Sequence, residues 1–406
     1  MLGLALEGGG AKGAYHMGVV KAYYEEGFTF DGIVGTSIGA LNGAIIAQGD
    51  FELGYEWWGK MDTSFLFNID QVQIQKVLNK NIDKEVLVYL YTKITEFIDN
   101  KGLDTIKIRE TLDTLISEDK IRNSEIDFGL VTVSVSDLKP LELFKEDIPI
   151  GKITAYLMAS ANFPLFKIEP MDGKFYIDGG FYDNCPINLL IRKGYKEIIA
   201  VRTLGMGLKR KLEDESVKIT NIIPSEDLGM VLNFNQNLID LNLKRGYFDA
   251  MRVIKGLKGK KYYIESTHDD YIYNVLLSMP DDTIYELKEI MHLHQMEPKR
   301  LLFEQIIPAM SHLLGLPSTA SYQDIIIGIL EFSAEDQEID RFSINSFESL
   351  IRIVKSNINE FEYPLGSDVF GLNKFKKYLP DMSKNNIMRQ TTKVIVNYLN
   401  PELFKI

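Results

Sequence analysis

Two strand–turn–helix units at the start of the chain restrict its fold more than any other feature. Residues 2–7 form an apolar run, Gly8 to Gly13 form a glycine-rich turn, and a helical stretch follows from Ala14 to Glu26. Ile33-Val34 is a second short apolar run, which leads through another turn into a helical stretch from Ile38 to Gln48. This order predicts a parallel α/β sheet with both turns at carboxyl ends of strands, where open sheets bind ligands.

The remaining chain divides into two regions of different periodicity. We predict an α/β domain over residues 1–268, in which residues 51 to about 125 are helical and further strands follow at 128–133, 141–144, 175–177, 198–201 and 261–264. Within it, Glu85 to Ile98 has the spacing of a helix packed on the core, although a lid over an apolar site is an alternative. Helical periodicity dominates from about residue 270, which predicts a second, mainly α-helical domain over residues 269–406.

Composition and charge exclude several classes of protein. The net charge of −12 argues against a nucleic-acid-binding protein, which needs an excess of Lys and Arg to neutralise phosphates. Cys185 is the single cysteine, so no intrachain disulfide and no cysteine-based metal site can form. No apolar run approaches the ~20 residues of a transmembrane helix. Met1 to Leu6 is too short for a signal peptide and lacks a basic start, so a cytoplasmic protein is expected.

Ser37 stands in a sequence that is typical of a catalytic nucleophile. The segment Gly35-Thr36-Ser37-Ile38-Gly39 matches Gly-x-Ser-x-Gly, the nucleophile elbow, in which a strained strand-to-helix turn pushes the serine oxygen into the site. Gly35 and Gly39 remove side chains that would collide with this turn. The pattern also occurs in tight turns with a structural serine, but the apolar strand before it and the small-residue helix after it favour a serine acyl hydrolase.

The turn Gly8-Gly9-Gly10-Ala11-Lys12-Gly13 has two interpretations. Gly8, Gly10 and Gly13 match the dinucleotide fingerprint G-x-G-x-x-G, but the expected acidic residue after the second strand is replaced by the Ser37 turn. Alternatively, consecutive glycines let backbone N–H groups converge on one small anion, and Lys12 adds positive charge. An oxyanion hole that faces a nucleophile accounts for both turns.

The partner of Ser37 is predicted to be an aspartate. None of the five histidines, His16, His268, His292, His294 and His312, has the sequence context of a catalytic triad. Asp178 ends the strand Phe175-Tyr176-Ile177 and is followed by Gly179 and Gly180, which leave backbone room around its carboxylate. A carboxylate can act as general base when partial burial raises its pKa. An acidic turn residue is the alternative.

These three motifs, in this order and spacing, resemble those of patatin-like phospholipases, in particular bacterial-type members, here with an additional C-terminal helical region. The segments Ala159 to Pro164 and Asp183 to Ile187, on either side of Asp178-Gly179-Gly180, also look like the family. The likeness covers roughly residues 1 to 265. Lys12 in place of the commoner arginine, and Glu7 before the glycines, are small departures.

The resemblance implies a three-layer α/β/α fold and a Ser–Asp dyad without histidine. By this analogy Ser37 is the nucleophile, Asp178 the base, and Gly9 and Gly10 the oxyanion donors, with Lys12 nearby. The implied reaction is hydrolysis of lipid acyl esters with no metal and no cofactor. The expected partner is a lipid ester at a membrane or micelle surface, on which the protein could sit peripherally.

Other functions remain as alternatives at this stage. A nucleotide-binding oxidoreductase would use the glycine turn as a Rossmann fingerprint. A catalytically inert scaffold would bind a partner through its helical domain, which could also be a lid, a membrane-docking surface or the interface of a homo-oligomer. The strongly apolar segment Asp324 to Leu330 favours a buried core helix in that domain.

Overall fold

The computed structural model of the chain describes residues 1–60, 106–163, 166, 170–357 and 379–400. The chain forms two compact units, Met1–Met251 and Arg252–Ile406. The predicted helix or lid at residues 85–98 lies outside the described residues. The predicted domain boundary between residues 268 and 269 stays a prediction.

The first unit is built around one mixed sheet. Its strands are β1 (Leu2–Leu6), β2 (Gly32–Thr36), β3 (Asp127–Ser134), β4 (Lys139–Phe144), β5 (Tyr176–Asp178), β6 (Glu197–Val201) and β7 (Lys218–Ile222). The strand order is β4-β3-β2-β1-β6-β7, and β5 also pairs with β3. The strands β3, β2, β1, β6 and β7 run parallel, whereas β4 and β5 run antiparallel to β3.

The helices of this unit are α1 (Ala14–Glu25), α2 (Ile38–Ala47), α3 (Phe51–Gly59), α4 (Ile106–Leu115), α5 (Glu118–Asn123), α6 (Ile153–Ser160), α7 (Ile187–Lys193) and α8 (Gln236–Lys255), the last of which runs past the unit boundary. Short 3₁₀ turns occupy Gly10–Gly13 and Gly179–Phe181.

Helices cover both faces of the central strands. Gly43 of α2 faces Leu6, Ile33 and Phe128 so closely that an added Cβ would lie 3.1 Å from Ile33. Leu190 of α7 packs with Ala5, which points to the opposite face of β1. The three-layer α/β/α arrangement is therefore confirmed, with two corrections. The sheet is mixed, and the predicted last strand, β8 (Tyr263–Ile264), pairs outside this sheet.

The second unit is mainly helical, as predicted. Its helices are α9 (Asp269–Leu277), α10 (Asp281–Ile290), α11 (Pro298–Leu301), α12 (Ile307–Leu313), α13 (Tyr322–Asp336), α14 (Phe347–Asn357) and α15 (Leu379–Tyr398), with a π-helical segment at Leu302–Ile306. Strand β8 pairs with β9 (Ile344–Asn345) in a two-stranded parallel sheet. The apolar residues of α13 are buried in one core, which confirms the core-helix interpretation of residues 324–330.

Two details show how polar groups stabilise this unit. Ser321 and Asp324 form a capping box at the start of α13. Glu331 of the same helix accepts hydrogen bonds of 2.8 Å from the N–H groups of Lys260, Lys261 and Tyr262, which fixes the segment that enters β8. Across the described residues, every helix is too short or too polar to cross a bilayer.

Candidate active site

Ser37 lies at the turn between β2 and α2, in a backbone conformation that few residues other than glycine adopt. Its φ and ψ are 58° and −128°. The turn is closed so tightly that a Cβ on Gly35 would lie 2.3 Å from the carbonyl carbon of Gly39, and one on Gly39 would lie 2.2 Å from the Leu6 oxygen. Both glycines are therefore required by packing, and the strained serine has the geometry of a nucleophile elbow.

A second serine holds this turn in place. The N–H of Ser37 donates to Ser160 Oγ at 3.0 Å, and Ser160 Oγ donates to the Val131 carbonyl at 2.6 Å. Ser160 is the last residue of α6 and is fully buried. In the sequence, the segment around Ser160 was noticed only because it resembles the family. Nothing in the sequence predicted the contact between Ser160 and Ser37.

Asp178 reaches Ser37 because β2 and β5 meet end to end along one edge of β3. Thr36, the last residue of β2, pairs with Val131, and Asp178, the last residue of β5, pairs with Thr132. The other edge of β3 is occupied by β4 over the same stretch. The residue after β2 and the last residue of β5 are therefore neighbours. The sequence placed Asp178 at the correct sheet edge but did not reveal that its strand is antiparallel.

Hydrogen bonds orient the Asp178 carboxylate toward Ser37. It accepts from the Gly180 N–H at 2.7 Å, and the Ser37 hydroxyl lies near enough to lower its pKa. The backbone N–H of Asp178 donates to the Asn162 carbonyl at 2.9 Å. An added Cβ on Gly179 would lie 2.2 Å from the Val131 oxygen, so the segment after Asp178 can approach β3 only as glycine.

The environment of Asp178 favours its neutral form more than water does. Burial raises the pKa of Asp178 to about 6, although hydrogen bonds from Ser37 and Gly180 oppose this shift. Near neutral pH the carboxylate is therefore mostly ionised, but it is far more basic than an exposed aspartate. This is the property required of a general base.

The glycine turn presents two adjacent N–H groups beside Ser37. The Gly8 N–H donates to the Asn184 carbonyl at 2.9 Å, the Ala11 N–H to the Val231 carbonyl at 2.7 Å, and the Lys12 N–H to the Gly9 carbonyl at 3.2 Å. Within the described ranges, the N–H groups of Gly9 and Gly10 donate to no protein acceptor. Of the residues predicted for the oxyanion hole, Gly9 and Gly10 thus retain free donors.

Close packing fixes the position of the glycine turn. A Cβ on Gly8 would lie 3.3 Å from Ser37 Cβ, so the turn and the serine are in direct contact. Gly10 has a φ of +56°, and a Cβ there would lie 2.2 Å from the Val231 oxygen. Gly13, the last residue of the turn, accepts a hydrogen bond on its carbonyl from Asn42 at 2.9 Å.

Glu7, immediately before the turn, anchors the neighbouring loop. Its carboxylate is fully buried, forms an ion pair with Arg202 at 3.1 Å, and accepts from the N–H groups of Thr203 and Leu204 at 2.7 and 3.0 Å. Thr203 in turn donates to the Gly8 carbonyl at 2.6 Å. Sequence reasoning treated Glu7 as a minor departure and missed this positioning role.

His16 lies close to the site but has a structural environment. It is fully buried, and its Nδ1 lies 3.3 Å from Asn42 Nδ2. Burial lowers the pKa of His16 to about 3, so the imidazole stays neutral. The other four histidines belong to the second unit. The described residues also contain no group of three or more His, Cys, Asp or Glu side chains that could hold a metal ion.

Comparison with known proteins assigns a family to the part of the chain that holds this site. Residues 4–191 match the family model described as patatin-like phospholipase. The chain carries a patatin-like phospholipase domain. The match includes the glycine turn, Ser37 and Asp178, whereas the bacterial-type assignment stays a prediction.

The curated relatives match about half of the chain. A patatin-like phospholipase domain-containing protein of Caenorhabditis elegans, ZK370.4, is 26% identical over 207 residues, which are 49% of this chain and 13% of that protein. Lysophospholipase NTE1 of Mycosarcoma maydis is 28% identical over 205 residues, 49% of this chain and 9% of that protein. The crystal structure of VipD from Legionella pneumophila aligns with a TM-score of 0.39 and 14% identity, covering 100% of this chain and 93% of that one. The chain thus spans about a tenth of the length of these curated relatives.

Proposed function

We propose that this protein is a lipid acyl hydrolase of the phospholipase A type, in which Ser37 and Asp178 act as a catalytic dyad. The observation that carries the proposal is the strained Ser37 beside a buried aspartate whose pKa is raised to about 6. A structural serine in a tight turn would need neither the strain nor the basic partner. The names of the relatives support lipid esters as the substrate class, and NTE1 supports lysophospholipids among them.

The first half of the reaction forms an acyl-enzyme. Asp178 accepts the hydroxyl proton as Ser37 Oγ bonds to the ester carbonyl carbon, and the carbonyl oxygen becomes an oxyanion. The N–H groups of Gly9 and Gly10 stabilise this charge, and Lys12 adds positive potential nearby. When the tetrahedral intermediate collapses, the lipid alkoxide leaves and takes the proton from Asp178.

The second half releases the fatty acid. Water attacks the acyl-Ser37 carbonyl while Asp178 accepts its proton, and the same two N–H groups hold the second oxyanion. Collapse of this intermediate breaks the bond to Ser37 Oγ, which regains a proton from Asp178. The cycle consumes one water, needs no metal or cofactor, and returns both residues to their starting state.

A catalytically inert scaffold is the second candidate, because the relatives' names do not fix what a chain of this length does. The free N–H groups of Gly9 and Gly10 and the basic Asp178 favour the enzyme, since a scaffold would have no need of either. For the whole protein we propose a cytoplasmic location with peripheral attachment to membranes. The second unit could then control access to lipid or mediate homo-oligomer formation.

Hydrolysis of defined lipids by matched variants tests the proposal. Wild type, Ser37→Ala and Asp178→Asn are incubated with lysophosphatidylcholine, phosphatidylcholine and triacylglycerol, and released fatty acid is measured. We expect Ser37→Ala to lose at least about a thousandfold in rate and Asp178→Asn about a hundredfold or more.

Asp183→Asn is the matched control, because Asp183 is also a buried aspartate of this segment. Its carboxylate accepts from the Cys185 N–H at 3.2 Å rather than from Ser37, so this variant should keep most of its activity. Full activity in folded Ser37→Ala or Asp178→Asn would refute the dyad, and no hydrolysis of any lipid by wild type would favour the scaffold.

A further inference from the structure

Two loops beside the candidate site expose an unusual number of large apolar side chains. They follow β6 and β7 and comprise residues 202–211 and 223–235, which we call the edge loops. Half of the large apolar residues that are exposed among the described part of the first unit lie here, namely Leu204 (53% exposed), Met206 (40%), Leu208 (39%), Ile223 (54%) and Met230 (38%). Exposed apolar side chains concentrated beside a site indicate an interaction surface rather than chance.

The backbone of the first edge loop is built to keep these side chains outside. In Leu204-Gly205-Met206-Gly207-Leu208, apolar residues alternate with glycines. A Cβ on Gly205 would lie 2.3 Å from the Gly8 oxygen, and one on Gly207 would lie 2.7 Å from Asn184. The glycines therefore let the loop approach the glycine turn and the segment after Asp178 closely, while the three large side chains stay exposed.

Specific hydrogen bonds fix this arrangement. Leu208 donates to the Gly180 carbonyl at 2.9 Å and accepts from the Asn184 N–H at 2.7 Å. Leu204 has a φ of +51°, in the left-handed region that favours glycine, and the Glu7 carboxylate holds its N–H. Strained residues are often found at functional sites, so an exposed leucine in a strained conformation beside an active site indicates a functional role rather than a freely variable loop position.

The second edge loop has the same relation to the site. The carbonyl of Val231, next to the exposed Met230, accepts the Ala11 N–H at 2.7 Å. Ile223 directly follows β7 at the carboxyl edge of the sheet. The backbones of both loops therefore contact the same glycine turn that lies against Ser37.

A basic triplet, Lys209-Arg210-Lys211, follows the apolar residues directly and is exposed. Its carboxylate contacts are weak: Lys209 lies 3.8 Å from Glu7, which already pairs with Arg202, and Lys211 lies 3.7 Å from the exposed Glu215. Arg210 lies over the Tyr182 ring, 4.5 Å from its centroid.

Two of the three acidic residues that follow this triplet are paired with bases outside it. Glu213 contacts Arg192 at 2.6 Å, and Asp214 contacts Lys196 at 3.0 Å. A local positive charge thus persists on a chain whose net charge is −12.

We propose that the edge loops dock this domain on an anionic phospholipid bilayer. Leu204, Met206 and Leu208 would enter the interfacial region, and the basic triplet would contact the anionic head groups. Such docking would bring Ser37, which is partly exposed, to the esters without a transmembrane anchor. A bound protein or a second copy of the chain on these loops would not supply lipid to Ser37. The proposal deepens the proposed lipid hydrolase, and it assigns a membrane surface to particular residues.

Vesicle binding measures the docking independently of hydrolysis. The full-length Ser37→Ala protein, which leaves the lipids intact, is mixed with vesicles of phosphatidylcholine alone or with added phosphatidylserine, and the bound fraction is measured by sedimentation. We expect stronger binding to vesicles that contain phosphatidylserine, and weaker binding at higher salt. In this background Met206→Ser with Leu208→Ser should weaken partitioning about tenfold. Arg210→Gln with Lys211→Gln should weaken it by about twenty-five-fold, which is about fivefold for each charge.

Matched controls lie at the opposite edge of the sheet. Leu53 and Ile150 are as exposed as the loop residues, but they lie at the start of α3 and before α6, where the chain turns at the amino-terminal edge. Lys120 lies on α5, just before β3 begins, and Lys218 stands at the start of β7. Leu53→Ser with Ile150→Ser, and Lys120→Gln with Lys218→Gln, should leave vesicle binding within about twofold, which is less than half a kcal/mol.

Three results would overturn the docking proposal. The Ser37→Ala protein could fail to bind either vesicle, or the loop variants could bind as the controls do. Alternatively, the loop variants could dissociate a dimer in sedimentation velocity while vesicle binding is unchanged, which would assign the loops to a second copy. Hydrolysis of a soluble short-chain ester is measured separately, in the wild type and in the same loop variants with Ser37 intact. If the wild type does not hydrolyse this ester, the result would refute the hydrolase and not the docking.

Discussion

The burial of Asp178 determines the pH at which the proposed enzyme should become active. Since the pKa of Asp178 is about 6 and the base must be ionised, log kcat/KM should rise with a slope of one below pH 6 and level off above pH 7. At pH 5 only about one molecule in ten has the ionised base, so the rate should be about tenfold below the plateau. An exposed aspartate, with its lower pKa, would give no change over this range.

The burial of Asp178 also affects stability, but in the opposite direction: activity should rise with pH, whereas the contribution of Asp178 to stability should fall. A carboxyl group whose pKa is higher in the folded than in the unfolded state favours folding at low pH, and this advantage is lost as pH rises from about 4 to about 6. A shift from 3.8 to about 6 corresponds to at most about 3 kcal/mol. Asp178→Asn removes this cost, so above pH 6 it should be inactive but more resistant to urea than wild type.

We would measure the rate of short-chain ester hydrolysis from pH 4.5 to 8, roughly the range over which a base of this pKa titrates. Urea unfolding is measured at the lowest and the highest pH of this range. His16→Gln is the control, because the buried, neutral imidazole should not set the midpoint. A flat profile down to pH 5, or a midpoint that moves in His16→Gln while the fold is intact, would refute the assignment of Asp178 as base.

Three further predictions concern strain, burial and the glycine turn. Ser37→Gly should be more stable than Ser37→Ala by about 1–2 kcal/mol in urea unfolding, because glycine tolerates the φ of 58°, and equal stabilities would contradict the strain. Asp183→Asn should be more stable than wild type in thermal unfolding at pH 8, by up to about 4 kcal/mol. Burial raises the pKa of Asp183 from 3.8 to about 7, so the full free-energy cost of its buried charge is present only above pH 7. If the stability advantage of the variant did not grow between pH 5 and pH 8, this account of Asp183 would be contradicted. Gly10→Ala should lower the rate of ester hydrolysis about a hundredfold, because its Cβ would collide with Val231. Gly27→Ala is the control: Gly27 also has a positive φ, but nothing lies within 4 Å of an added Cβ. This variant should keep its activity and lose only about 1 kcal/mol of stability.

The sequence was most informative where a motif imposes backbone geometry. The Gly35-to-Gly39 pattern predicted a strained turn, and Ser37 has that conformation, because both flanking glycines face backbone atoms that leave no room for a side chain. The strongly apolar segment Asp324 to Leu330 likewise predicted a buried core helix, and α13 is that helix. In both cases the information is local, so a short window of residues contains it.

Long-range pairing could not be predicted in the same way. The short strand β5 shows apolar character but no direction, and its antiparallel pairing with β3 depends on residues 45 positions away, as the 2.9 Å bond from Thr132 to the Ile177 carbonyl illustrates. Strand β7 was not predicted from the sequence, because most of its residues are polar and only one of them is buried, so it lacks an apolar pattern. The supporting contacts of Ser160 and Glu7 were missed for the same reason, since each joins segments that are more than a hundred residues apart.

The most direct test of the central claim is covalent capture of the nucleophile. Wild type, Ser37→Ala and Asp178→Asn are treated with a fluorophosphonate, and the labelled peptide is identified by mass spectrometry as a function of time. If Ser37 is activated by Asp178, the label should appear on Ser37 of the wild type, be absent in Ser37→Ala, and form at least about a hundredfold more slowly in Asp178→Asn. Labelling at another residue, or at the wild-type rate in Asp178→Asn, would contradict the dyad.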